Sequence, residues 1–449
     1  MEYMRSEGLR EYKTKFLEAV YFLLACGMYY FHNEYLDLGI HFMYKFVLAM
    51  VIAGLSLLTF LVRTDLRRGG GLFRCLVLLA LPSLTTILAS VPLWVFQVQQ
   101  LTQIRRGLFD QIYGLAILFA AAGLLYAFGR RGLWLNLAAM LGANAVTLVR
   151  VVRENGIGQY LEELRTLIVT FAGETGPVIQ QMEIHELTFA LGIYLVYYML
   201  NWQECRRERA ARVLLAPTLF CFLSGFKRIG VAAIAAALLV WLVMKLAVRR
   251  DRGRFFLMTV SFAAVGVCFL YIFLVKRGLF EFLALRFDLD TMGRRELSGF
   301  IDQYYWIGPN YFGNGAGFVS RLFSDLPEDW TIRALHNDIL MLYIDVGFWG
   351  FWVWMLCYLP LRVWCVSKWQ GLRYGVICLC LQAYVLSTAA TDNTLYYVYV
   401  TGALAICLMS GGLEEPGEED HAGAEPLLRR KNTPSKYAPK RLANAGRAR

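Results

Sequence analysis

Long apolar runs recur from one end of this chain to the other, and they constrain its fold more than any other feature. Each covers about 17–25 residues, the length that an α-helix needs to cross the hydrocarbon core of a bilayer. The period-2 alternation of an outer-membrane barrel strand is absent, so we predict an all-α integral membrane protein with about 12 transmembrane helices. The runs lie near 16–32, 42–62, 73–96, 111–128, 132–149, 185–202, 211–225, 230–248, 255–275, 338–360, 372–390 and 394–411.

The distribution of charge predicts which helix ends face the cytoplasm. Only 18% of the 449 residues are charged, but basic residues outnumber acidic ones and give a formal net charge of +11. If the N-terminus is cytoplasmic, every short loop on that side is basic, which satisfies the positive-inside rule and places the C-terminus inside as well. These loops account for most of the excess charge, and no nucleic-acid-binding motif is present. The basic residues are Arg67, Arg68, Arg130, Arg131, Arg206, Arg207, Arg209, Arg212, Arg249, Arg250, Arg252, Arg254, Arg362, Lys368 and Arg373.

The predicted spans divide the chain into five segments. Residues 1–15 form a cytoplasmic N-terminus, residues 16–275 carry transmembrane helices 1–9, and residues 276–337 form one large extracytoplasmic loop. Residues 338–411 carry helices 10–12, and residues 412–449 have the composition of a disordered cytoplasmic tail, first acidic and then basic.

Two outer loops show helical periodicity. In residues 150–184, an interfacial helix is predicted by the spacing of Leu161, Leu164, Leu167 and Ile168. In the large loop, an amphipathic helix is predicted by the spacing of Leu297, Phe300, Ile301, Tyr304 and Tyr305. A turn-rich segment follows at 308–317. Its Gly-x-Gly follows no strand, so it predicts a flexible turn or a close approach of backbone to substrate, and not a dinucleotide site.

No metal site or cofactor is expected. The ten cysteines are mostly single and lie inside apolar runs, where a cysteine behaves as a small hydrophobic residue. Cys378 and Cys380 form the closest pair, but neither a second pair nor a histidine lies near them in sequence. No cleavage site follows the first apolar run, so a cleavable signal peptide is not expected.

A single histidine, His336, precedes the run that begins at residue 338. A neutral imidazole can accept a proton near pH 7, so His336 is a candidate general base; the alternative is a polar interfacial residue without chemistry. If the helix includes His336, Gly347 and Gly350 fall about 20° and 40° to either side of it, and Asp345 points the opposite way. The glycines would then let a neighbouring helix approach closely. If Asn337 or Asp338 is instead the N-cap, His336 lies just outside the helix.

Basic residues stand at the outer ends of two predicted helices. Lys227 and Arg228 precede a span, and Arg294 and Arg295 open the loop helix. One interpretation is that Lys227 and Arg228 extend to headgroup phosphates. The other is a cationic clamp on an anionic group, because the planar guanidinium donates two parallel hydrogen bonds to a phosphate or diphosphate.

At these residues the sequence resembles the O-antigen ligase/polymerase superfamily of bacterial envelope glycosyltransferases. The family signature is His-Asn/Ser/Gln, nine residues, and Gly-x-x-Gly. His336-Asn337 and Gly347-Phe348-Trp349-Gly350 match it, with Asp345 as its frequent acidic residue.

The family's arginines are matched less closely. Gly293-Arg294 matches a family Gly-Arg pair, whereas Arg295 has the family spacing to the Gly313 turn, so both arginines remain candidates. The family's aromatic residue four positions after that arginine is missing. Arg228 stands where the family keeps an arginine at the outer end of a middle span, but Phe226-Lys227 precedes it instead of serine.

The resemblance implies a metal-independent membrane glycosyltransferase of the bacterial cytoplasmic (inner) membrane, with an extracytoplasmic active site. The donor would be a glycan on undecaprenyl diphosphate, and the acceptor a saccharide or a lipid core, in O-antigen, lipopolysaccharide or capsule-like polysaccharide biosynthesis. Its catalytic residue would be His336. Diphosphate ligands would come from Lys227, Arg228, Arg294 and Arg295, with Asn337, Asp345, Gly347 and Gly350 in support.

Two questions stay open on the sequence alone. The first is whether such an enzyme is a polymerase, which joins one lipid-linked repeat to another, or a ligase, which moves a finished chain. The second is whether the chain is instead a flippase for lipid-linked oligosaccharides. A transporter predicts charged residues near mid-membrane, for which Lys45, Lys245 and Asp345 are the candidates.

Overall fold

A computed structural model describes most of the apolar part of the chain. The described residues are 2–31, 41–62, 66–97, 99–170, 176–182, 185–225, 227–248, 252–279, 282, 286, 299–326 and 334–413. Within them the regular structure is entirely helical. Arg294, Arg295 and the tail after residue 413 lie outside the described residues.

The helices are numbered here in chain order. The first twelve elements are α1 (Glu2–Tyr30), α2 (His41–Val62), α3 (Leu66–Phe96), α4 (Leu101–Phe128), α5 (Arg130–Asn155), α6 (Ile157–Thr170), α7 (Pro177–Gln180), α8 (His185–Leu200), α9 (Trp202–Cys205), α10 (Arg209–Ser224), α11 (Arg228–Val248) and α12 (Gly253–Lys276). After the large loop come α13 (Phe318–Ser324), α14 (Asp338–Leu356), a π-helical turn (Cys357–Leu361), α15 (Arg362–Trp369), α16 (Leu372–Ala389) and α17 (Val398–Ser410).

The protein is an α-helical membrane protein, as the apolar runs predict. Each predicted run coincides with a helix, and within the described ranges 8 helices are long and apolar enough to cross a membrane. These are Tyr44–Val62, Gly69–Phe96, Leu101–Phe128, Arg130–Asn155, Arg228–Ala247, Gly253–Lys276, Asp338–Trp369 and Leu372–Ala389. The helices nearest the protein centre bury polar side chains against one another: Tyr29 donates to Asn136, and Asn136 donates to Tyr194. Such bonds satisfy groups that lipid cannot.

The predicted interfacial helix is present, whereas the predicted helix of the large loop is shorter than its periodicity suggests. The predicted interfacial helix is α6, with Leu164 and Leu167 against Val151 and Val178 and with Leu161 exposed. In the large loop, residues 299–302 are helical, and the chain then turns at 303 and 304. The prediction that this helix continues through Tyr305 is therefore wrong for residues 303–305, which the structure describes.

The tenth predicted span differs most from expectation. It continues through the π-helical turn and α15 to Trp369, so Arg362, predicted to lie in a cytoplasmic loop, is buried inside the bundle. It is also broken at Gly347, whose φ of 75° and ψ of −177° are not helical. The angles calculated along a straight helix from His336 to Gly350 therefore do not apply.

A turn of the large loop fills the break in α14. The N–H of Gly315 donates to the carbonyl of Asp345 at 2.7 Å, and the Tyr311 hydroxyl donates to the carbonyl of Ile344 at 2.7 Å. A Cβ on Gly347 would stand 2.1 Å from the Phe312 carbonyl carbon, so only glycine fits there. Gly347 thus meets the loop backbone instead of the neighbouring helix that the sequence predicted.

Gly350 fits the prediction of a close helix contact better. A Cβ at this position would lie 3.3 Å from the Cβ of Ala89, so α14 approaches α3 closely below the break. The turn at 308–317 is held on its other side by α3 and α4, since Gln103 donates to the carbonyl of Asn314 and Trp94 to that of Ala316. These contacts fix the upper half of α14, which begins two residues after His336.

Candidate functional site

His336 lies just outside α14 in a backbone conformation that a residue with a side chain rarely adopts. Its φ is 49°, and within the described residues it is the one non-glycine position with positive φ. Asn337 is the N-cap of α14, and its Oδ1 accepts from the N–H of Leu340 at 3.1 Å. The His336 side chain is 37% exposed, so the left-handed turn holds the imidazole at the surface of a buried helix start.

Three elements fix the residues beside His336. The Asn337 amide donates to the hydroxyl of Tyr271 in α12 at 2.9 Å, and Tyr271 donates to the carbonyl of Ala390. The carboxylate of Asp338 accepts from the N–H of Leu395 at 2.6 Å. The start of α14, the end of α12 and the loop between α16 and α17 therefore form one connected unit.

That loop supplies a carboxylate to His336. The Nδ1 atom of His336 lies 3.5 Å from Oδ1 of Asp392. The same oxygen accepts from the N–H of Asn393 at 2.8 Å and from the hydroxyl of Tyr397 at 2.9 Å. With Nδ1 directed at the carboxylate, Nε2 is the ring nitrogen left to exchange a proton with a ligand.

The electrostatics keep Asp392 ionised. Burial alone would raise its pKa, but hydrogen bonds from His336 and Asn393 and the positive charges of His336 and Lys227 lower the pKa to about 2. A permanently ionised carboxylate beside an imidazole orients the ring and stabilises the imidazolium that forms when the ring accepts a proton.

Lys227 and Arg228 begin α11 on the same side. The Lys227 carbonyl accepts from the N–H of Gly230 at 2.8 Å, which starts the helix, and the Lys227 charge acts on Asp392. Lys227 is half-buried, whereas Arg228 is exposed. Both cations stand at a helix N-terminus, where the backbone N–H groups add further positive potential.

The supporting residues have separate structural tasks. The Asp345 carboxylate accepts from the N–H groups of Gly317 at 3.0 Å and Val319 at 3.2 Å, and so caps α13 instead of facing His336. Asn337 is at the site itself, and Gly347 and Gly350 act through the packing of α14. The structure thus brings Lys227, His336 and Asn337 together, whereas Arg294 and Arg295 lie outside its described residues.

The site also contains residues that sequence reasoning missed. Three of them belong to no recognisable sequence motif and are far from His336 along the chain: Asp392, Tyr397 and Tyr271. One signal was present: the short gap between the last two apolar runs holds a single carboxylate, Asp392, at the same membrane side as His336.

The arrangement suits proton transfer next to a bound anion. An imidazole oriented by a carboxylate can act as a general base, and cations at a helix N-terminus can bind phosphate oxygens. Comparison with known proteins adds no assignment: no protein-family model matches the chain, and no curated protein matches its sequence.

Proposed function

We propose that this protein transfers a glycan from an undecaprenyl-diphosphate-linked donor to a saccharide acceptor outside the cytoplasm, as a polymerase or ligase of surface polysaccharide. One observation carries the proposal: the imidazole of His336 contacts the ionised carboxylate of Asp392, close to Lys227, at one end of a membrane-embedded bundle. The match of His336-Asn337 and Gly347-x-x-Gly350 to the O-antigen ligase/polymerase signature supports it.

The proposed topology has twelve crossings with both termini in the cytoplasm. Eight crossings are the long apolar helices, and the other four are α1, α8, α10 and α17. The apolar parts of α8 and α17, Leu187–Leu200 and Val398–Leu413, are shorter. Support comes from the arginines at the helix ends opposite His336, including Arg130, Arg206 and Arg373, since basic loops stay in the cytoplasm. The large loop and His336 then face outward.

In the proposed reaction, Nε2 of His336 takes the proton of an acceptor hydroxyl. The hydroxyl oxygen forms a bond to the anomeric carbon of the donor sugar, and the bond from that carbon to the diphosphate oxygen breaks. The electron pair leaves on undecaprenyl diphosphate, whose charge Lys227 and Arg228 stabilise, with Arg294 and Arg295 as further candidates. Stabilisation of the leaving diphosphate is expected to contribute the largest share of the rate enhancement.

The flippase alternative receives less support. A transporter needs charged groups that face a passage. The carboxylate of Asp345 is bonded to two backbone N–H groups, and Lys45 and Lys245 lie over the rings of Phe46 and Trp241. None of these contacts of Asp345, Lys45 and Lys245 specifically favours transport.

Deletion of the gene followed by analysis of lipid-linked glycans tests the proposal. Accumulation of single repeats identifies a polymerase, and accumulation of long chains identifies a ligase. Complementation with the wild-type gene should clear either product, whereas the His336→Ala variant should not. Unchanged lipid-linked pools in the deletion strain would contradict the proposal.

A further inference from the structure

A second candidate site lies inside the bundle, lined by residues other than His336 and Asp392. It is a cavity, partly open to its surroundings, between α3, α4, α14, α15, α16 and α17. Along α3 it runs from Leu79 to Thr86, and along α4 from Asp110 to Leu118, about 10–12 Å in each case. Its outer wall is the back of the loop at residues 394–396.

A guanidinium stands at the inner end of this cavity. Arg362 is 5% exposed, and one of its terminal nitrogens donates to the carbonyl of Leu79 at 2.8 Å. Its charge lies 4.5 Å from the ring centre of Tyr358. These two contacts hold the planar group in place and prevent it from extending to a membrane surface.

The donors at this point are not all used. The Nε of Arg362 and the hydroxyl of Tyr358 are buried and have no hydrogen-bond partner among the described residues, where no carboxylate pairs with Arg362 either. Among the described residues that line the cavity, Asp110 is the one acidic residue, and it does not pair with Arg362. An unpaired charge inside a membrane protein is costly and marks a functional site more often than not.

The local backbone agrees with a binding role. Residues Cys357–Leu361 form a π-helical turn immediately before Arg362, and such turns occur frequently at functional sites. The wall also has a gap: Gly114 lines the cavity, is partly exposed, and a Cβ added to it meets nothing within 4 Å. The cavity wall therefore has open space beside Gly114.

We propose that this cavity binds a phosphate group, held by the Arg362 guanidinium and the Tyr358 hydroxyl. A tetrahedral phosphate accepts several hydrogen bonds at once, and arginine is the side chain best suited to donate two of them in parallel. The phosphate comes either from free inorganic phosphate or from a phospholipid headgroup that enters past Gly114. The site does not depend on glycan transfer, since neither Arg362 nor Tyr358 belongs to the His336 cluster.

The test measures binding to purified, delipidated full-length protein in phosphate-free detergent. Three probes are titrated while the thermal unfolding midpoint is recorded: inorganic phosphate, short-chain phosphatidylglycerol, and short-chain diacylglycerol, which lacks the phosphate. Stabilisation by inorganic phosphate identifies the free ion, and stabilisation by phosphatidylglycerol alone identifies the lipid. Diacylglycerol should have no effect.

Variants separate binding from folding. Arg362→Met should weaken phosphate binding by roughly 10- to 100-fold, the loss of a charge-assisted hydrogen bond, and Arg362→Lys should bind with intermediate affinity. Gly114→Phe should block the cavity without touching Arg362, so it tests the site even if Arg362→Met fails to fold. Gly266→Phe is the matched control, because Gly266 is exposed on α12 and has equally open surroundings. Binding unchanged in Arg362→Met or Gly114→Phe, or absent from the wild type, overturns the proposal.

Discussion

Charged residues gather at both ends of the helix bundle, but the two groups are built differently. At the Glu204 end, formed by residues 130–134, 201–208 and 373–374, both glutamates contact arginines, and additional arginines make this end basic overall. Glu204 contacts Arg130 at 3.3 Å and also Arg373 and Tyr374, and Glu208 contacts Arg130 and Trp134. At the His336 end, formed by residues 227–228, 336–338 and 390–397, one ionised carboxylate faces a histidine and a lysine, with Arg228 exposed beside them.

The difference distinguishes a structural ion-pair group from a site that can act on a ligand. The Glu204 end joins α5, α9 and α16 through opposite charges that already contact one another, so Arg130 and Arg373 are occupied by glutamates. The His336 end places Lys227 and the exposed Arg228 at a helix N-terminus and holds its histidine in a left-handed backbone conformation. Chemistry is therefore expected at the His336 end and stability at the Glu204 end.

His336→Ala tests the expected chemistry and should have the largest effect. Loss of a general base should lower the rate of glycan transfer by about 10²- to 10⁴-fold. The exposed imidazole adds little to the packing, so the unfolding midpoint should stay the same. The matched control is His41→Ala, at the start of α2. Wild-type transfer by His336→Ala would show that the His336 end is not the reactive end.

Gly347→Ala should cause the largest loss of stability. A Cβ there collides with the backbone of Phe312 and requires a left-handed conformation, so the turn must leave the break in α14. We expect a loss of several kcal/mol, or failure to accumulate folded protein. Gly266→Ala, in open surroundings, is the control. An unchanged unfolding midpoint in Gly347→Ala would contradict the observed break.

Glu204→Gln tests the structural role of the opposite end. It leaves Arg130 and Arg373 without their shared carboxylate in a partly buried site, which should cost about 1–3 kcal/mol of stability. Transfer per folded molecule should not change. If the variant folds normally but transfers glycan more slowly, the division of roles between the two ends is wrong.

Asp392→Asn should lower the rate less than His336→Ala does and should have the clearest effect on pH dependence. We expect transfer to fall by about tenfold, because the amide still orients the ring but no longer stabilises the imidazolium. The acid limb of the pH–rate profile should move to lower pH. A structural role alone would leave that limb where it is in the wild type.

The same variant should alter stability in acid. The folded-state pKa of Asp392 is lowered to about 2, from an ordinary value of about 3.9. Its ionised form therefore stabilises the wild type above about pH 4, and this contribution is lost as the pH falls toward 2. Unfolding midpoints of Asp392→Asn should depend less on pH across that window.

Much of this architecture could be predicted from the sequence, because the position of a helix depends on the residues within and next to it. The run predicted at 42–62 is helix His41–Val62, and that at 372–390 is Leu372–Ala389, since span length depends on hydropathy alone. The position of Asn337 as N-cap also follows from residue chemistry, as one of two alternatives that the sequence left open.

Other features depend on contacts between distant segments and could not be predicted. The angular argument for Gly347 assumed a continuous helix, whereas the loop at 311–317 breaks it. Asp392 stands in a short loop without periodicity, and only the packing of α12, α14 and α17 brings it to His336. Arg362 was placed in a loop because apolar sequence ends near it, although the bundle buries it.

The most direct test of the reactive end is transfer by the purified protein in proteoliposomes. The substrates are an undecaprenyl-diphosphate-linked oligosaccharide and a saccharide acceptor, with a metal chelator present and no nucleotide sugar. We predict that undecaprenyl diphosphate is released only when acceptor is present, and that His336→Ala releases none. No release by the wild type, or equal release by both proteins, would contradict the assignment of chemistry to His336.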